Sequence, residues 1–235
     1  VVWTVLARDS LRKVAPNHMS TVLAVPDFWL LAMIYSVTFG GFVGLTSFMP
    51  IFLNSEYHVK AVDAGMITAA AAFLGSTFRP LGGVVSDRFT GRGTSMVILG
   101  IVLVTSLLVA THISIAVTSA SFFVMLASLG CGNGAVFQMV PQRFPKEIDV
   151  VTGLVGAAGG LGGFVLPTML GTLKDVTGTY FSGFAVFALM AGIALTIVTV
   201  AGRRWARTWL SRDAAHVEVV GIPVRRDAPS REAVA

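Results

Sequence analysis

Charge is what this sequence has least of. Asp, Glu, Lys and Arg make up 12% of its 235 residues, about half the share found in soluble domains. Hydrophobic residues make up 54%, and the mean hydropathy is +0.79. So few charges cannot cover a globular surface, which excludes a water-soluble domain and puts the chain in the membrane class. There is one cysteine, Cys131, so no internal disulfide can form and no redox compartment can be read. No metal cluster, no nucleophile beside a base and no phosphate loop is visible. The GCGNG run at 130–134 lacks both the GxGxxG spacing and a preceding strand. These absences leave nothing behind an enzyme reading, and no cofactor or metal is expected. Alternation of period two does not recur, which argues against a β-barrel.

What is present is length of apolar chain. Six segments, at 28–53, 64–86, 94–111, 115–140, 151–173 and 181–201, meet or approach the ~20 residues needed to cross a ~30 Å hydrocarbon core. The fold class expected is an all-α membrane protein with six transmembrane helices. Residues 1–26 read as a cytoplasmic linker with an interfacial helix near 2–14, 27–202 as the six-helix bundle, and 203–235 as a basic, disordered cytoplasmic tail. A net charge of +5 would fit nucleic acid, but the charges sit in short loops and the tail, which is the membrane orientation pattern. Arg8, Arg12 and Lys13, Arg88 and Arg92, Arg143 and Lys146, and seven tail arginines fall on one side; Lys60 and Lys174 fall on the other. By the positive-inside rule both termini are cytoplasmic. Trp29, Trp205 and Trp209 belong at that same edge. The partners expected are a lipid bilayer and no nucleic acid.

One arginine breaks the pattern. Arg79 lies inside the second apolar segment, at a cost of roughly 2.5–3.5 kcal/mol on insertion scales. Its planar fork of donors suits an oxyanion, and no protein carboxylate is in sight, so its partner reads as a substrate; a structural arginine tied to backbone carbonyls or to an unseen carboxylate is the other reading. Pro80 follows it and removes a backbone donor. Counted at 1.5 Å per residue from the basic edge, Arg79, Tyr35, Asn133 and Gly159 fall on one level about 12 Å in. Tyr35 and Phe39 share a helix face: they sandwich a small flat ligand, or they make a helix–helix contact. Asn133 and Gln138 bind ligand or glue helices. In the fifth segment Gly153, Gly156, Gly160 and Gly163 form a stripe that Gly159 widens, a surface for sliding or for static packing. Asp87, Arg88 and Arg92 sit on a turn, as a charge-relay clasp or as an exposed loop.

The run GGVVSDRFTGRG resembles the G-x-x-x-D-R-x-x-G-R loop motif of the major facilitator superfamily, and residues 27–201 look like the C-terminal six-helix half of such a transporter. More narrowly the chain is similar to the nitrate/nitrite porter family, through FRPLGG around Arg79, GNGAVFQMVP at 132–141 and TGLVGAAGGLGGF at 152–164. The resemblance implies that Arg79 is the substrate arginine of this half, that Tyr35 and Phe39 flank the anion, and that Asn133 is a weaker contributor. It implies nitrate and/or nitrite transport by alternating access in the inner membrane. It also implies a partner, an N-terminal six-helix half that is missing here or separately encoded. The chain is therefore expected to be a fragment or half of a larger architecture. None of the twelve carboxylates falls at a helix centre, which favours exchange of anions over a proton relay in this half. The rivals are a facilitator-type permease for another small anion, and a nonfunctional or regulatory transporter fragment.

Overall fold

The computed structural model describes residues 17–111 and 114–219, with side chains for 19–111 and 114–205. Among the described residues there are seven helices: α1 (Asn17–Leu23), α2 (Pro26–Tyr57), α3 (Ala61–Phe89), α4 (Gly91–Ala110), α5 (Ile115–Arg143), α6 (Ile148–Thr177) and α7 (Phe181–Val219). Helices α2 to α7 are each long and apolar enough to span a bilayer. The interfacial helix expected near 2–14 lies outside the described residues, and α1 was not expected.

Local chemistry sets the helix ends. Pro26 opens α2, where its fixed φ and missing N–H suit the first turn. His58 closes α2 in the left-handed region at φ 53°. Thr90 separates α3 from α4 at φ 81°, and its Oγ1 accepts a hydrogen bond from the Gly93 N–H at 3.2 Å. The Ser114 hydroxyl caps α5 by accepting from the Val117 N–H at 3.3 Å. Most helices outrun their apolar cores by a turn, because polar residues remain helical once past the hydrocarbon. Helix α7 continues to Val219 instead of ending at Ala201.

The tightest pairs are distant in sequence. Helix α2 packs chiefly on α6, and α3 on α5, while α4 lies between α5 and α7. Both leading pairs touch backbone to backbone. A Cβ on Gly40 would stand 2.7 Å from the Gly162 backbone, and one on Gly130 would collide with the Gly75 carbonyl. A second knot of packing is aromatic: Phe52 meets Tyr57, Phe122, Tyr180 and Phe184 edge-on at centroid distances of 5.1–6.0 Å. Helices α3 and α6 keep an apolar face outward, with Phe73, Val84, Leu161 and Phe164 exposed. Arg88, Arg92, Arg143, Lys146, Arg203 and Arg204 gather at one end of the bundle, and Lys60 and Lys174 sit at the other. The end with the arginines is the basic end.

Candidate functional site

Arg79 sits two-thirds along α3, and the helix runs unbroken through Pro80. Its guanidinium carbon lies 5.2 Å from the centre of the Phe39 ring and 4.9 Å from that of Phe42. Its Nε is buried without a hydrogen-bond partner. Among the described residues no carboxylate pairs with it. The charge is thus held by aromatic faces, which attract a cation by about 0.5–2 kcal/mol each depending on how dry the site is. Neither carbonyls nor a carboxylate tie it down, as the structural alternative required.

Tyr35 and Phe39, four residues apart on α2, do not stand either side of a gap. Their rings stack on each other, with centroids 5.2 Å apart and planes 5° from parallel. The i,i+4 spacing brings the rings into contact, so what they present is one double plate. Phe137 of α5 meets Tyr35 edge-on at 4.8 Å. Behind the plate lies Gly159 of α6: a Cβ there would stand 2.6 Å from Tyr35 Cδ1 and 2.9 Å from Phe39 Cδ1. Asn133 lies one turn before Phe137, 3% exposed, with both Nδ2 and Oδ1 unpartnered. Its neighbour Gly134 abuts the Arg79 carbonyl. Buried polar atoms are nearly always satisfied, which sets the Arg79 and Asn133 atoms apart from the rest of the interior.

The glycines of α6 divide between two faces. Gly159 and Gly163 meet α2, through Tyr35 and through Val43, which a Gly163 Cβ would approach to 3.0 Å, and a Cβ on Gly162 would stand 2.5 Å from the Ser36 carbonyl. A Cβ on Gly153, Gly156 or Gly160 would meet nothing within 4 Å. The single stripe expected from the spacing is therefore one packed row and one open row. Asp87 and Arg88 are exposed, and neither they nor Arg92 pair with one another. Arg92 instead lies across α7, its Nε 2.6 Å from where a Gly202 Cβ would be. Asp87, Gly83, Gly134, Phe137 and Gln138 line an open cavity of about 620 Å³ leading from the basic end.

The ion-pair cluster that does form escaped the sequence reading. Asp27, 7% exposed, accepts from Arg143 Nε at 2.6 Å through Oδ2, and from Arg204 Nη2 at 2.6 Å and Trp205 Nε1 at 2.9 Å through Oδ1. It joins α2, α5 and α7. Its partners are 116 to 178 residues away in sequence, so no local pattern announced it. Phe42, which shares Arg79 with Phe39, could have been found from its position three residues beyond Phe39.

A family model described as the Major Facilitator Superfamily matches residues 3–167. The chain is 28% identical over 214 residues to the "Nitrite extrusion protein" of Bacillus subtilis, covering 91% of this chain and 51% of that one. It is 35% identical over 189 residues to the "Probable nitrate/nitrite transporter NarK2" of Mycobacterium tuberculosis, covering 79% and 48%. With the "Probable nitrate/nitrite antiporter NarK1" of Thermus thermophilus it shares 30% over 185 residues, covering 71% and 42%. The chain thus spans about half the length of the curated relatives it matches. In fold it resembles a bacterial homologue of the human lysosomal transporter Spinster, with a TM-score of 0.60 at 20% identity, covering 78% of this chain and 50% of that one. The family match over most of the sequence and six membrane-spanning helices agree: the chain is a multi-pass membrane protein that belongs to the Major Facilitator Superfamily.

Proposed function

We propose that the chain is the C-terminal half of a nitrate and/or nitrite transporter of the inner membrane, working by alternating access. The observation that carries this is Arg79: a cation inside a membrane-spanning helix, flanked by Phe39 and Phe42, with an idle buried Nε. A planar oxyanion in front of it would satisfy the charge and take the fork of donors in one plane. Asn133 supplies an amide at the same level, and the Tyr35–Phe39 plate forms an apolar wall. An N-terminal six-helix half supplies the rest of the site. The open row of Gly153, Gly156 and Gly160 is smooth enough for that half to approach and move against. The basic end faces the cytoplasm, as the positive-inside rule requires, so both termini are cytoplasmic.

The names of the relatives favour nitrate and nitrite over other small anions. Uptake into vesicles tests this, using a protein in which this half is joined to its N-terminal partner and comparing nitrate, nitrite, chloride and a small organic acid. Saturable uptake of nitrate or nitrite, with chloride excluded, is the expected result. Preferential uptake of the organic acid would replace the reading with another anion permease. No uptake of any anion would leave a regulatory or nonfunctional chain.

A further inference from the structure

Three positions fit together around the Arg79 side chain. Arg79 lies on α3, and long side chains on a helix point back toward its N-terminus, over the preceding turn. One turn before Arg79 stands Gly75. A Cβ there would fall 2.5 Å from Phe42 Cε2, so the absence of a side chain at Gly75 is what lets the Phe42 ring lie against α3. Phe42 is 7% exposed, and the Arg79 guanidinium carbon sits over its ring, 4.9 Å from the centre. Phe42 thus forms a shelf on the arginine's own helix.

Phe39 is a different kind of support. Its ring stacks on Tyr35 at 5.2 Å and is backed by Gly159 of α6, so its place is set by α2 and α6. Phe42 follows it by three residues and shares its helix face. The guanidinium carbon is 5.2 Å from the centre of Phe39, so two rings from successive turns bear on one cation. Arginine stacks its plane on aromatic faces. No hydrogen bond fixes Nε, which is buried without a partner, and among the described residues no carboxylate orients the fork. The contacts left to set its orientation are the two rings.

We propose that Phe42 is a positioning residue: it holds the plane of the Arg79 guanidinium, and so makes the site prefer planar oxyanions to spherical anions. The inference rests on the reading of Arg79 as the substrate arginine. A planar oxyanion gains from the fork only when two N–H groups point at it in one plane. A spherical anion such as chloride responds to the charge, which stays whichever way the fork turns. Without the Phe42 face the guanidinium keeps its charge but populates other orientations, and apparent affinity falls in proportion to the competent fraction. One aromatic face is worth roughly 2- to 30-fold in that population.

The test measures displacement of labelled nitrate by unlabelled nitrate and by chloride, on purified protein in which this half is joined to its N-terminal partner. Phe42→Leu should lower nitrate affinity roughly 2- to 30-fold and leave chloride affinity unchanged, so the ratio of the two falls by the same factor. Phe42→Met, flexible enough to fill the same space, should do likewise, and it stands in if Phe42→Leu does not fold. Phe42→Tyr keeps an aromatic face and should recover most of the lost discrimination. An unchanged ratio in Phe42→Leu and Phe42→Met overturns the proposal. Equal losses for nitrate and chloride also overturn it, because a merely structural residue affects both alike. So does a loss of discrimination in Phe42→Tyr as large as in Phe42→Leu, since the aromatic face would then not be the cause. If the unmutated protein binds no nitrate, the reading of Arg79 fails, and the inference with it.

Discussion

Adding one methyl group at Gly159 tests the proposed site from behind, without touching a residue that would meet the anion. In Gly159→Ala the new Cβ lands 2.6 Å from Tyr35 Cδ1, 2.7 Å from Tyr35 Cε1 and 2.9 Å from Phe39 Cδ1. Carbon atoms pack best at roughly 3.5–4.0 Å, so the double plate must give way by about 1 Å. Opening the helices to absorb this would give up the backbone contact between Gly40 and Gly162. The expected response is instead a shift of the rings, toward Phe137 on one side and the Arg79 guanidinium on the other. Overpacking of this kind costs about 1–3 kcal/mol. If that cost falls on the ligand-binding geometry, nitrate affinity drops roughly 5- to 150-fold. The control is Gly156→Ala, where the added methyl has no neighbour within 4 Å and affinity should be retained. Both are measured by equilibrium binding of labelled nitrate to purified protein containing both halves, with melting temperature recorded in parallel. Equal affinities for the two variants would refute the view that the Tyr35–Phe39 plate belongs to the site.

Three further outcomes are expected. Arg79→Lys keeps the charge but loses the planar fork, so nitrate affinity should fall about 10- to 150-fold. Arg79→Ala should lose more, with membrane insertion unharmed; normal nitrate binding by Arg79→Ala would sink the site assignment. Asp27→Asn removes the carboxylate that Arg143, Arg204 and Trp205 share, and should destabilise the bundle by about 1.5–3 kcal/mol, read as a lower melting temperature; an unchanged melting temperature would mean the cluster is dispensable. After Cys131 is replaced by Ser, cysteines at Glu56 and Gly178 should react with an impermeant thiol reagent from outside the cell, and cysteines at Gly91 and Glu147 should not. The inverse labelling pattern would overturn the orientation.

How legible the sequence was depended on the distance over which each feature acts. The six spans could be read because hydropathy is a local sum, and their ends were misplaced because Asn54–Tyr57 and Lys174–Thr177 are polar yet remain helical. Arg79 could be read because a charge in an apolar run stands out by itself. The partition of the α6 glycines could not: with glycine at 153, 156, 159, 160, 162 and 163, nearly every face of the helix is small, and only the position of α2 decides which row is packed. Residue 27 opens the expected bundle, but the role of Asp27 needed residues from α5 and α7. Tyr35 and Phe39 were correctly put on one face, while the stacking of one ring on the other depends on Gly159 and Phe137 pressing from neighbouring helices.

The Asp27 cluster also says something about the order in which the protein comes together. Arg143 and Arg204 follow Asp27 by 116 and 177 residues. At the usual pace of translation, roughly 5–20 residues per second, the last donor emerges about 9 to 35 s after the carboxylate that needs it. During that interval Asp27 lacks the donors that it shares in the finished fold. The Asp27 cluster can therefore close only after α7 has been synthesised.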